Sequence, residues 1–143
     1  AELLVNTLPS SQHVEKVSVA GPGFINFTLA RSCRLGTVRR PPRGVPKAEF
    51  ASRDFYDVWQ PLLSPSQELV HEAKSAEDEK AWHAFKRKFK AEMNHPVPSQ
   101  LLDLLAALSH HTSLAVGCYC EDEAHCHRSV LRELLVARGA EVV

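Results

Sequence analysis

Residues 117–128 read Gly-Cys-Tyr-Cys-Glu-Asp-Glu-Ala-His-Cys-His-Arg, the densest collection of nucleophilic, metal-ligating and cationic side chains in the 143-residue chain. Three of the four cysteines, Cys118, Cys120 and Cys126, fall within these twelve positions, and Cys33 stands apart. Just before them, Leu114-Ala115-Val116 is a short apolar run suited to a buried strand. Just after them, apolar residues recur at helical spacing from Cys126 or His127 to Arg138, where Gly139 supplies a stop. The cluster therefore falls at a strand-to-helix junction. In open parallel sheets that carboxyl edge is where ligands bind, and the helix amino terminus adds unpaired N–H groups and a positive dipole end.

Three chemistries fit these residue types. In the first, Cys126 at the helix mouth, beside His125, His127 and Arg128, is held as a thiolate and acts as nucleophile or redox thiol. His127 orients it or serves as base, and Arg128, on a face shared with Arg132, clamps an anion. In the second, Cys118, Cys120 and Cys126 bind zinc together with His125 or His127. Cys-x-Cys spacing can put two sulfurs on one side of an extended chain, although it is not the Cys-x-x-Cys knuckle of most zinc sites. In the third, the cysteines are small buried residues and His127 is a satisfied core histidine. A phosphatase loop is disfavoured. His125-Cys126 and Arg132 match His-Cys-x5-Arg, but the five intervening residues contain no glycine and read as helix.

A second concentration of charge lies upstream. Arg31, Arg34, Arg39, Arg40, Arg43, Lys47 and Arg53 face the single acid Glu49 across that stretch. Pro41-Pro42 forbids regular helix or strand there, so Arg39, Arg40 and Arg43 belong to an exposed, stiff loop after a short strand at 35–38. They are the candidate holders of an anion, together with Arg128.

The elements that must position these groups follow from periodicity. Residues 1–8 suggest a short helix, followed by alternating Val14, Val17 and Val19, a Gly21-Pro22-Gly23 turn and a strand at 24–29. Residues 50–63, with Phe55, Tyr56, Val58, Trp59 and Leu62, should pack on the core. Ser66 caps a helix reaching about Ala73. Trp82, Phe85, Phe89 and Met93 form the inner row of a helix over 77–93, and Lys86, Arg87, Lys88 and Lys90 fill its other faces. Ser99 caps the next helix, with Leu101, Leu102, Leu104, Leu105 and Leu108 inward, and residues 141–143 begin a last strand. Strand, helices, strand, helix, strand is the grammar of an α/β fold: a small parallel sheet of about three strands covered by helices, in a Rossmann-like three-layer arrangement.

Composition narrows the classes. Apolar content of 44% and charged content of 24% are those of a globular domain, and the length suits one core. The formal net charge of zero gives no global pull toward nucleic acid. No apolar run is long enough to cross a bilayer, so no membrane partner is expected. The sequence opens without a basic and apolar leader, which makes the expected address cytoplasmic and the thiols reduced.

Two resemblances add to this reading. Val17-Ser18-Val19-Ala20-Gly21-Pro22-Gly23-Phe24-Ile25-Asn26-Phe27 resembles part of the N-terminal domain of arginyl-tRNA synthetase, a domain that in its parent enzyme helps hold tRNA. The likeness stops near Ala30. Nothing afterwards looks like a synthetase, so an active aminoacylating enzyme is not expected. From Cys33 onward the chain resembles the domain-of-unknown-function 488 family. The matching words are the segment 118–129 with its Cys-His-Arg signature, the strand and basic loop Gly36-Thr37-Val38-Arg39-Arg40-Pro41-Pro42-Arg43-Gly44-Val45, Phe55-Tyr56-Asp57-Val58-Trp59-Gln60-Pro61-Leu62, and the helix opening Trp82-His83-Ala84-Phe85. That resemblance implies a compact α/β fold with the first-loop arginines beside Cys126, His127 and Arg128, and implies no reaction.

The expectation is thus a synthetase-like extension over 1–32 and a single α/β domain over 33–143. Its site would take a small anionic or phosphorylated ligand, with Cys126, His127 and Arg128 as candidate thiol-enzyme residues. The alternatives are a nucleic-acid-associated module, or a zinc-stabilised domain using Cys118, Cys120, Cys126 and His125.

Overall fold

A computed structural model describes residues 14–20, 24–29, 32–76 and 78–143. The chain divides into two compact units, 1–32 and 33–143. In the first, β1 (Val14–Ala20) and β2 (Phe24–Leu29) form an antiparallel ladder in which Val17 faces Phe27 and Ala20 faces Phe24. The expected helix at 1–8 and the turn at 21–23 lie outside the described residues.

The second unit is built on a three-stranded parallel sheet. Its strands are β3 (Cys33–Gly36), β4 (Val58–Trp59) and β5 (Leu114–Gly117), in the order β4-β3-β5. Four helices accompany it: α1 (Gln67–Lys74), α2 (Glu79–Met93), α3 (Pro96–Leu108) and α4 (His127–Ala137). This is the small parallel α/β sheet the sequence pattern calls for. No helix among the described residues is long and apolar enough to cross a membrane.

Local chemistry sets most boundaries. Ser66 Oγ accepts the Leu69 N–H at 3.3 Å, and Asp78 Oδ1 accepts that of Ala81 at 2.7 Å, so α1 and α2 begin at side-chain caps. Gly139, at φ 82°, ends α4. The α2 row of Trp82, Phe85, Phe89 and Met93 is buried with Leu35, Leu63, Leu69, Leu102, Leu105, Val130 and Leu131 in one apolar cluster. Trp82 stacks on Phe85 and Phe85 on Phe89, with ring centroids 4.9 and 5.9 Å apart. This core fixes α4 against the sheet and α2.

Several expectations are corrected. The first strand of this unit lies at 33–36 rather than 35–38, because its partner β5 ends at Gly117 opposite Gly36 and no ladder remains beyond that pair. Helix α3 starts at Pro96 with His95 at the cap, so Ser99 lies inside the first turn; proline at the first helical position has φ preset for the helix and no N–H to lose. Leu104 and Leu108 are exposed, the first at 55%, because a run of leucines covers more of the helix than one core stripe can bury. Phe55, Val58 and Leu62 are exposed too, so the 50–63 segment is anchored by Phe50, Tyr56 and Leu63, which are buried. Residues 141–143 form no strand; the Val143 carbonyl instead accepts from the Arg132 guanidinium at 3.1 Å.

A second small cluster, Val38, Phe50 and Tyr56, closes the sheet where β3 ends. Asp57 Oδ2 accepts the Arg34 backbone N–H at 2.8 Å, and the Arg34 guanidinium pairs with Asp54 and Asp57, which pins the loop carrying Tyr56. The ring of Tyr56 lies so close over Gly36 that a Cβ there would sit 2.3 Å from a ring carbon. Gly36→Ala should therefore cost about 1–3 kcal/mol, the usual range for overpacking. Urea unfolding of the full chain should show the midpoint falling without a change in slope; an unchanged midpoint would mean that Tyr56 gives way freely.

Candidate functional site

The site begins with an imidazole. His127 opens α4, is buried, and points its Nε2 at the end of β3, 2.8 Å from the Thr37 carbonyl and 3.0 Å from Thr37 Oγ1. A carbonyl only accepts, so Nε2 carries the hydrogen. Thr37 Oγ1 donates its own hydrogen to the Gly117 carbonyl at 3.0 Å, leaving a lone pair for the imidazole N–H. The Nε2 hydrogen is thereby fixed, and the other ring nitrogen, Nδ1, lies 3.6 Å from Cys126 Sγ, within reach of the thiol proton. Phe89 closes the ring from the side, edge to face at 5.8 Å.

Cys126 is the N-cap residue of α4 and is only 1% exposed. Its thiol is held far below the ordinary thiol range. The Cys118 thiol beside it is the largest cause, followed by His127 and by the backbone N–H and guanidinium of Arg128, all acting against the cost of burial. Arg128 Nε lies 3.4 Å from the sulfur, and its Nη2 donates to the Cys120 carbonyl at 2.8 Å. Cys118 is pushed the other way, by the charge it shares with Cys126 and by burial. Cys120 is raised as well, chiefly because its sulfur is locally desolvated, although the residue as a whole is exposed. Of the three neighbouring thiols, Cys126 is thus the one whose surroundings favour ionisation.

These groups border a cavity of about 680 Å³, within the size range of small-molecule sites. Arg39, Arg40 and Arg43 line it from the loop after β3, and Cys118, Cys120, Cys126 and His127 from the opposite junction. Trp82, Phe85 and Val70 give it an apolar side. Of the upstream basic residues, Arg34 and Arg53 pair with carboxylates. Arg39, Arg40 and Arg43 have no ion pair among the described residues.

Other candidates fall elsewhere. Arg128 borders a separate cavity of about 350 Å³ with Arg132 and Glu123, and its guanidinium holds Cys120 and Cys126 rather than joining the loop arginines. Arg132 borders that cavity too, apart from the thiol, and the helix begins at His127, so there is no phosphate-cradling loop after Cys126. Both nitrogens of His125 face carboxylates, Asp122 at 2.7 Å and Glu79 at 3.5 Å, and Asp122 first, then Glu79, raises its pKa. The three thiols, in contrast, lie within 4.8 Å of one another, without His125 in the group. Thr37 is the participant that the sequence reading passed over; its one signal was a hydroxyl residue where an apolar strand runs out.

A buried cysteine at a helix mouth, beside an imidazole and across a cavity from arginines without an ion pair among the described residues, is a cluster at the edge of a small α/β sheet. Residues 28–139 match the family described as the active DUF488-N3 subclade, DUF488-N3a, and the chain belongs to that family. Residues 1–29 match the N-terminal domain of arginyl tRNA synthetase. The arginine–tRNA ligase of Pseudomonas syringae pv. syringae (strain B728a) is 38% identical over 76 residues, 50% of this chain and 13% of that protein. The arginine–tRNA ligase of Shewanella pealeana is 70% identical over 29 residues, 20% of this chain and 5% of that protein. The chain thus spans about an eighth or less of these curated relatives. No solved structure matches it.

The lowered pKa of Cys126 has a direct optical consequence. Thiolate absorbance near 240 nm should persist well below the ordinary thiol range and disappear in Cys126→Ser. In His127→Ala, Cys126 should titrate at higher pH, because the imidazole contact that lowers it is gone. A wild-type trace with all thiols titrating together near pH 8–9, the unperturbed range, would show that no such charge is held.

Proposed function

We propose that the chain binds, and through Cys126 transforms, a small anionic or phosphorylated ligand at the carboxyl edge of the sheet. The observation that carries this reading is the shared cavity, with the Cys126–His127 pair on one wall and, on another, three arginines that have no ion pair among the described residues. Arg39, Arg40 and Arg43 would hold the anion, and the apolar wall of Trp82 and Phe85 suits a ligand with a hydrophobic part. Cys126 would be the nucleophile or redox thiol, and His127 the group that takes its proton and holds its direction. Arg128 would be a positioning residue, keeping the 118–120 segment against the sulfur. In this reading residues 33–143 are the working domain and 1–32 an appended unit. Free thiols at the site suit a reducing compartment such as the cytoplasm.

Alkylation separates thiolate chemistry from mere accessibility. Cys120 is exposed but its thiol is raised; Cys126 is buried but its thiol is lowered. In reduced, chelator-treated protein at pH 7, iodoacetamide should label Cys126 first, as read by peptide mass mapping. Millimolar phosphate should slow that labelling, and combined Arg39→Ala, Arg40→Ala and Arg43→Ala should remove the protection. Labelling that follows exposure, Cys120 ahead of Cys126, would overturn the reading. The same arginines favour a second reading, a nucleic-acid-associated module. Retention on RNA that weakens steeply with salt and vanishes in the triple variant, with no phosphate protection of Cys126, would select it.

A further inference from the structure

Within the same junction, the convergence of three sulfurs calls for a use that one nucleophile does not explain. Cys118 Sγ and Cys120 Sγ are 3.4 Å apart, and all three sulfurs of Cys118, Cys120 and Cys126 lie within 4.8 Å of one another. A metal–sulfur bond of ~2.3 Å in tetrahedral geometry places sulfurs about 3.8 Å apart, so small side-chain rotations would bring this triad onto one cation. The three come from one short stretch between β5 and α4, and all border the 680 Å³ cavity. No second structural cysteine pair is needed to complete the set.

We propose that Cys118, Cys120 and Cys126 form a three-thiolate site for a thiophilic divalent cation of the zinc type, with its fourth position open to the cavity. Sulfur-rich sets select such cations over magnesium or calcium. Three protein ligands with an open position are the arrangement of reactive rather than closed structural zinc sites. His125 does not belong to the set, since Asp122 and Glu79 occupy its ring nitrogens. On binding, each thiol that still carries a proton releases it to solvent, and each of the three sulfurs forms a bond to the cation. A divalent ion with three thiolates carries one net negative charge, which the Arg128 guanidinium, 3.4 Å from Cys126 Sγ, is placed to offset. The proposal goes beyond the anion-binding reading and has a regulatory consequence for it: the cation and an electrophile compete for Cys126.

Cobalt(II) serves as the spectroscopic probe, added anaerobically to the reduced full chain. One equivalent should produce sulfur-to-cobalt charge-transfer absorption in the near ultraviolet with an intensity matching three thiolates, and zinc should bleach it. Cys118→Ser and Cys120→Ser should each weaken cobalt binding by at least the roughly 10–100-fold that losing an outer-shell partner costs. Cys33→Ser and His125→Ala should leave it unchanged. One equivalent of zinc should also block iodoacetamide at Cys126. Absence of the charge-transfer band, or a band unaltered in both serine variants, overturns the proposal. Should those variants fail to fold by circular dichroism, the wild-type band intensity and the Cys33→Ser control decide. Because the alkylation experiment uses metal-free protein, a failure there leaves the cobalt result untouched, and the reverse holds as well.

Discussion

The bridge from Thr37 through His127 to Cys126 ties the chemistry of this domain to its fold. Its two ends come from distant parts of the chain. Thr37 directly follows β3, and Cys126 and His127 begin α4 ninety positions later, so the imidazole joins the end of the first strand of the sheet to its last helix. The ring is buried, and its N–H is satisfied only because the Thr37 carbonyl and hydroxyl both turn toward it. A buried polar group without partners costs on the order of 1–3 kcal/mol, so the same contacts that set the tautomer also hold the helix mouth at the sheet edge. The thiol environment is therefore a consequence of closing the fold.

The packing around the bridge explains why it holds one geometry. Phe89, Val130 and Leu131 are completely buried, and they come from the two helices that meet at His127. Interiors packed like this leave a ring few alternative rotamers. On the other side, Tyr56 lies over Gly36 and Trp59 donates its indole N–H to the Val38 carbonyl at 2.9 Å, which fixes the backbone just beyond Thr37. The arginine loop departs immediately after that point. Its exposed arginines, Arg39, Arg40 and Arg43, are consequently anchored at the base, and their guanidiniums have no ion pair among the described residues.

Much of this was legible in the sequence, and the boundary of legibility is physical. Periodicity placed the α2 core row of Trp82, Phe85, Phe89 and Met93, since one amphipathic stripe has one way to face a core. The strand, cluster and helix order placed Cys118 to Arg128 at a sheet edge for the same reason. Periodicity failed where apolar residues outnumber the buried positions, as at Leu104 and Leu108, and where a rival cap existed, as at Pro96 against Ser99. It says nothing about which long side chain turns which way. Arg128 and His125 are correctly typed for their expected partners, yet their polar atoms are claimed by Cys120, Asp122 and Glu79. Thr37 lay beyond reach because its role arises from contact across ninety residues, which no local pattern encodes.

The charge distribution within the triad has a consequence for how the site can work. Three thiols this close cannot all ionise without mutual repulsion, and the asymmetry of their surroundings decides which one does. Cys126 has the helix amino terminus, the imidazole and the guanidinium on its side. Cys118 and Cys120 have burial against them and a charged neighbour besides. A sulfur whose surroundings favour its anion is less basic and tempered in intrinsic nucleophilicity, because reactivity falls as thiol pKa falls. Any partner that reacts there must compensate by withdrawing the Cys118 proton donor or by bringing its own positive centre to the sulfur. Both routes lead into the cavity that the arginine loop also lines.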